Sequence, residues 1–205
     1  MIKLLSGLLS RAGSVRQWHW ISSAICLVGI LGFSITGITL NHAGSIEAKP
    51  RTRTVEAALP EGLLQRYDQD VVDGEPLPPQ WRSWLRNNIA VQVAGNPAEL
   101  SEDEVYVGLP QPGGDAWLAL DLMTGEVFYE HTDRGWVSYF NDLHKGRYTG
   151  AVWFWFIDIF AAACVIFSMT GFWLLWRHAG SRPSTWPMVG LGLLAPLLIM
   201  LLFIH

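Results

Sequence analysis

Histidine is the residue in this chain best suited to do chemistry, because five of its six copies stand beside long apolar runs. His19 opens the first run and His42 ends it; His144 precedes the second and His178 closes it; His205 ends the third. His131 lies apart, in a polar stretch. Neutral imidazole is a common ligand for iron, zinc and copper. Haem iron takes it axially, and a porphyrin suits an apolar slot between helices. One histidine from each of two facing helices would make a six-coordinate iron fitted to electron transfer rather than oxygen binding. His42 with His144, and His19 with His178, fall at opposite ends of the same two runs. The expectation is one or two b-type haems held by these four residues.

Helix geometry separates the two ends and adds a constraint. His19 and His42 are 23 residues apart, about 34 Å along a straight helix and about 140° apart around it. A straight helix therefore cannot turn both rings toward one neighbour. A zinc or copper site built from His42, His144 and His205 is a rival, since imidazole serves those metals equally well. No two histidines are three or four residues apart, so local spacing favours neither metal. Asp158 is the single charge in the second run. It would lie about 9 Å inside the span, where a carboxylate is costly and marks either a proton site or a structural partnership.

The elements that must hold these groups are legible as apolar runs. Ile21 to Leu40, Ala151 to Trp176 and Trp186 to Ile204 are nearly free of charge, and roughly 20 apolar residues of helix cross a bilayer core. The expected layout is a cytoplasmic amphipathic segment (1–17), a first transmembrane helix (18–42), a periplasmic domain (43–148), a second helix (149–178), a cytoplasmic loop (179–185) and a third helix (186–205). Lys3, Arg11, Arg16, Arg177 and Arg182 flank the spans without accompanying acids, whereas 43–150 carries 17 acids and 9 bases. Basic short loops face the cytoplasm. A bacterial inner-membrane protein with its N-terminus inside and C-terminus in the periplasm is expected. The first run is long for a signal peptide and lacks a small-x-small site after it, so it reads as an uncleaved anchor.

Within 43–148, residues 49–60 read as a polar linker, and Glu61 to Asp70 and Pro79 to Asn88 as short helices. Strands are expected at 91–93, 104–109, 116–122 and 127–131. Turns fall at Gln111-Pro112-Gly113-Gly114 and Met123-Thr124-Gly125-Glu126, which makes a small α+β domain with an antiparallel meander. Cys26 and Cys164 both lie inside spans, leaving the domain without disulfides. Ser22, Cys26, Gly29, Gly32 and Thr36 place small side chains on one face of the first helix, a surface for close helix packing. Phe33-Ser34-Ile35-Thr36-Gly37 recurs as Phe167-Ser168-Met169-Thr170-Gly171 in the second run, which predicts a shared packing geometry. No phosphate loop, dinucleotide fingerprint, nucleophile triad or metalloprotease motif occurs. The chain has no room for a flavin or nicotinamide domain.

Four segments in order carry a resemblance: Thr36 to His42, Asp121 to Val127, Asn141 to Gly146 and Thr170 to Trp176. Together they are similar to the PepSY-associated transmembrane proteins, across nearly the whole chain. The resemblance implies a PepSY-like domain, with His19, His42, His144 and His178 at the positions where larger relatives bind haem b and reduce ferric siderophores. This chain has three spans rather than four or more, which argues against a complete reductase. The family is also linked to flavin-carrying electron carriers, but Glu126 stands where a flavin-attachment sequence has a small residue.

The reading that follows is a haem b electron-transfer protein, a membrane ferric reductase or its electron-transfer subunit. It would serve ferric iron or a periplasmic redox partner, with separate donor and acceptor proteins. A homodimer would complete sites that three spans leave open. Membrane lipid is the expected surrounding, and no nucleic acid is expected. The alternatives are a membrane-anchored periplasmic binding module and a metal-handling accessory protein, neither of them redox-active.

Overall fold

The computed structural model describes residues 13–204; the segment 1–12, where most of the amphipathic region was expected, and His205 lie outside them. Among the described residues three helices are long and apolar enough to cross a membrane: α1 (Val15–Asn41), a second running from Gly150, and a third at Thr185–Phe203. Helix is the economical form for such runs, because hydrocarbon offers no partner for an unpaired backbone group. The chain divides into two compact units, one of residues up to 32 with residues from 155 onward, the other of residues 33–154.

In the first unit the small-residue face of α1 is a packing surface, as its spacing predicts. Ser22 and Cys26 are buried, and a Cβ on Gly29 would lie 2.2 Å from the ring of Phe160. Only glycine admits that ring.

The second unit is a five-stranded antiparallel sheet with helices. Its elements are β1 (Arg51–Ala58), α2 (Glu61–Leu64), α3 (Tyr67–Asp70), α4 (Pro79–Ile89), β2 (Glu99–Leu100), β3 (Glu104–Gly108), β4 (Gly114–Asp121), β5 (Glu126–Asp133) and α5 (Trp136–Lys145), after which α6 (Gly150–His178) begins. A short 3-10 turn separates α6 from α7 (Thr185–Phe203). Strand order is β1-β5-β4-β3-β2. Ala116, Leu118 and Leu120 alternate inward along β4, and Trp81, Leu85 and Ile89 recur every four residues on α4. Leu118 and Leu120 with the α4 stripe, Val105, Val107 and Val127 make one core. The opposite sheet face carries a row of Tyr106, Trp117 and Phe128, with ring centroids 6.2 and 5.1 Å apart.

Three expectations are corrected. Residues 51–58 are a strand rather than a linker: Arg51-Thr52-Arg53-Thr54 pairs with β5 as an edge strand, where charged side chains are tolerated and discourage further pairing. Val91 and Val93 are not in a strand, although both are buried in the core. Their segment follows the left-handed Ala90 that ends α4 and takes its hydrogen bond from the helix end. Glu61 to Asp70 is two single turns rather than one helix.

The hairpin between β4 and β5 is held by Asp121, whose carboxylate accepts the N–H groups of Met123 (2.7 Å) and Thr124 (2.8 Å). These bonds lower the Asp121 pKa below the usual carboxylate range. A depressed folded pKa means the stabilisation is complete above the unfolded value and is lost as pH falls through the folded one. Asp121→Asn should therefore flatten the acid limb of the domain's stability-versus-pH curve, measured by denaturant melts between about pH 2 and 5. Trp81→Ala or Leu118→Ala should each cost about 3 kcal/mol by the same melts.

Candidate functional site

The repeated Phe-Ser-x-Thr-Gly segment seats an imidazole in both of its copies. In the second unit, α5 brings His144 against α1, where its Nδ1 lies 2.6 Å from Thr36 Oγ1. Its ring lies 5.0 Å from that of Phe33, and Gly37 leaves the space beside its Cε1. In the first unit, α1 brings His19 against α6, with Nδ1 3.1 Å from Thr170 Oγ1. That ring stacks on Phe167 at 4.9 Å and 11°, and a Cβ on Gly171 would stand 3.1 Å from its Cε1. Phenylalanine supports the ring, threonine holds Nδ1, and glycine clears the approach.

Each threonine Oγ1 also lies within hydrogen-bond distance of carbonyls of its own helix: Thr36 of Phe33 O (3.1 Å), Thr170 of Ile166 O (2.7 Å) and Phe167 O (3.0 Å). With the hydroxyl proton turned to a carbonyl, Oγ1 accepts from Nδ1–H and Nε2 keeps its lone pair; with it turned to the ring, Nδ1 accepts and Nε2 carries the proton. Both rings are half-buried. The first arrangement is the one that binds a metal, and a hydrogen-bonded second nitrogen is the usual companion of a ligating histidine.

His42 and His178 take that first arrangement by a different route. Each ring bends back to a carbonyl four residues earlier, His42 Nδ1 to Ile38 O (3.0 Å) and His178 Nδ1 to Leu174 O (2.7 Å). A carbonyl can only accept, so Nδ1–H donates here, and both rings are exposed. Position on the helices separates the two expected pairs. Leu174 lies four residues past Thr170 on α6, about 40° around and one turn along, so His19 and His178 share a face of that helix. Ile38 lies two residues past Thr36 on α1, about 200° around, so His42 and His144 sit on opposite sides of it.

His144 is fixed from three directions. Asn141, one turn earlier on α5, is buried and bonded to Thr39 at 2.7 Å. Trp153 donates its indole N–H to Leu143 O at 2.9 Å, and Asp142 accepts the Gly113 N–H at 2.9 Å. At Gly113, whose φ is +73°, a Cβ would lie 2.7 Å from Tyr139, so glycine lets α5 rest on the turn. Sequence reasoning missed Thr36, Thr170, Asn141 and the Phe33 and Phe167 rings as site residues; the repeat was the signal. Asp158 is exposed on α6 and belongs to neither seat, and His131 bonds Gln111 inside the sheet domain. Among the described residues no three histidine, cysteine, aspartate or glutamate side chains converge on a metal-binding cluster. The expected trio of His42, His144 and His205 extends beyond those residues.

A family model described as PepSY_TM-like matches residues 10–205, and the chain belongs to that family. No curated protein and no solved structure matches it.

Valine in place of Thr170 or Thr36 keeps the shape and removes the acceptor. Each variant should leave one Nδ1–H without a partner, at a cost of about 1 kcal/mol. Ring nitrogen-15 shifts in the metal-free protein should show the Nδ1–H form for both histidines, and a mixed tautomer at the altered seat alone.

Proposed function

We propose that this chain is a haem b electron-transfer protein of the bacterial inner membrane, with its sheet domain in the periplasm and the N-terminus in the cytoplasm. The observation that carries this reading is the duplicated seat, which holds an imidazole by Nδ1 twice over and turns Nε2 away from the threonine. The donor set fits the group: imidazoles packed against apolar helices, each beside a phenyl ring. His19 and His178 would hold one haem from a common face of α6, and His144 would supply a ligand to a second. His42 reaches that second site only after leaving the Ile38 carbonyl. When bound, haem supplies one-electron transfer between ferric and ferrous iron.

The chain's own residues do the rest. Thr36 and Thr170 hold Nδ1 and so aim Nε2, and a hydrogen-bonded Nδ1–H makes the imidazole a stronger electron donor to a metal. Phe167 stacks on the His19 ring and Phe33 lies tilted beside that of His144. Ferric iron or a periplasmic redox protein is the acceptor class in keeping with the family. A second reading has a specific observation behind it, because histidine–threonine bonds also join membrane helices without any cofactor, at about 0.6 kcal/mol each.

The test is pigment. Protein expressed with ample haem and purified in mild detergent should show Soret and alpha bands on reduction. His19→Ala and His144→Ala should each remove about one haem equivalent, and His178→Ala should convert the His19 haem from low to high spin. A colourless protein, with the same variants altering only thermal stability, would establish the helix-clamp reading instead.

A further inference from the structure

The sheet domain contains a cavity of about 890 Å³ whose floor follows from strand register. Along β1 and β5 the cross-strand pairs on the core side are Ala57 with Val127, Val55 with Tyr129, Arg53 with His131 and Arg51 with Asp133. The first two pairs belong to or pack on the core. The last runs past the end of the core and brings Arg51 and Asp133 onto the same sheet face.

Three cations line this cavity, Lys49, Arg51 and Arg134, against two acids, Glu47 and Asp133. Asp133 gives one carboxylate oxygen to the Gly135 N–H at 2.7 Å. Arg134 reaches only Asp115, at 3.9 Å, with both side chains about half exposed. Among the described residues Lys49 and Arg51 form no ion pair. The remaining wall has an apolar side of Ile46, Tyr139 and Trp136, whose indole is 75 % exposed, with Gln111, His131 and Asn141 among its polar lining.

Chain connectivity says where this cavity lies. Ala43, on its wall, comes two residues after the end of α1, and α5, which supplies Trp136 and Tyr139, ends five residues before α6 begins. Both neighbours are span-length helices. The cavity wall therefore draws on residues within a few positions of two span-length helix ends, which belong at the bilayer surface, and its exposed tryptophan is the residue such interfaces favour. A soluble anion would use the cations and waste the apolar wall. An amphiphile uses both.

We propose that this cavity binds one anionic phospholipid, its phosphate at Arg51, Arg134 and Lys49 and its glycerol and upper acyl carbons against Trp136 and Ile46. The assignment is independent of haem. Basic side chains near an anionic membrane surface contribute about 1 kcal/mol each, and the volume falls within the usual range for ligand sites.

Native mass spectrometry of the full chain, stripped of lipid and returned to phosphatidylglycerol or phosphatidylcholine, tests the proposal. One phosphatidylglycerol should be retained in preference to phosphatidylcholine by about tenfold, and the preference should vanish in the double variant Arg51→Gln, Arg134→Gln. Arg66→Gln, outside the cavity, should keep it, and Trp136→Ala should weaken retention of both lipids. A thermal melt of the double variant matching wild type excludes misfolding as the cause. If that variant unfolds, Lys49→Gln alone should still lower the preference about twofold. Equal retention of the two lipids overturns the proposal, as does a preference indifferent to these substitutions. Displacement of the lipid by millimolar inorganic phosphate would also overturn it and leave a site for soluble anions.

Discussion

The arrangement at both seats depends on a hydroxyl shared between a ring nitrogen and its own helix. Thr36 and Thr170 lie within hydrogen-bond distance of carbonyls of their own helices, as threonine does inside apolar helices. An imidazole from another segment meets the same oxygen through Nδ1. With the hydroxyl proton turned to the carbonyl, Nδ1–H donates and Nε2 is the nitrogen offered. The glycine after each threonine keeps the approach open, and the phenylalanine three residues before it supplies the ring's apolar bed.

Holding His144 in that position is the work of the sheet domain. Helix α5 is tied to the turn before β4 through Asp142 and Gly113, to α1 through Asn141, and to α6 through Trp153. The core beneath it is an ordinary one, a valine- and leucine-rich sheet face closed by one amphipathic helix. Its strands end in a basic edge because β1 is unpaired on one side, where arginine costs little and guards against association. Shape and charge along this edge of the sheet thus follow from the same strand that looks like a linker when its alternating Arg and Thr are read without a partner.

The sequence by itself determined three span-length helices, the small-residue face of α1, the α+β class of the domain between the first two spans, both of its main turns and the family. Apolar length, glycine and alternation are local signals and survive without a fold. It also singled out the histidines beside the spans and the Phe-Ser-x-Thr-Gly repeat, reading the repeat as a shared packing geometry. What only tertiary structure decided is which histidine meets which copy. His19 finds Thr170 across 151 positions and His144 finds Thr36 across 108, and neither separation has a local signature. Strand β1 was hidden for the same reason, since its pairing lies about 75 residues away on β5. The tautomer, too, belongs to the fold: a ring nitrogen takes its proton state from the atom it faces, and that atom comes from elsewhere in the chain.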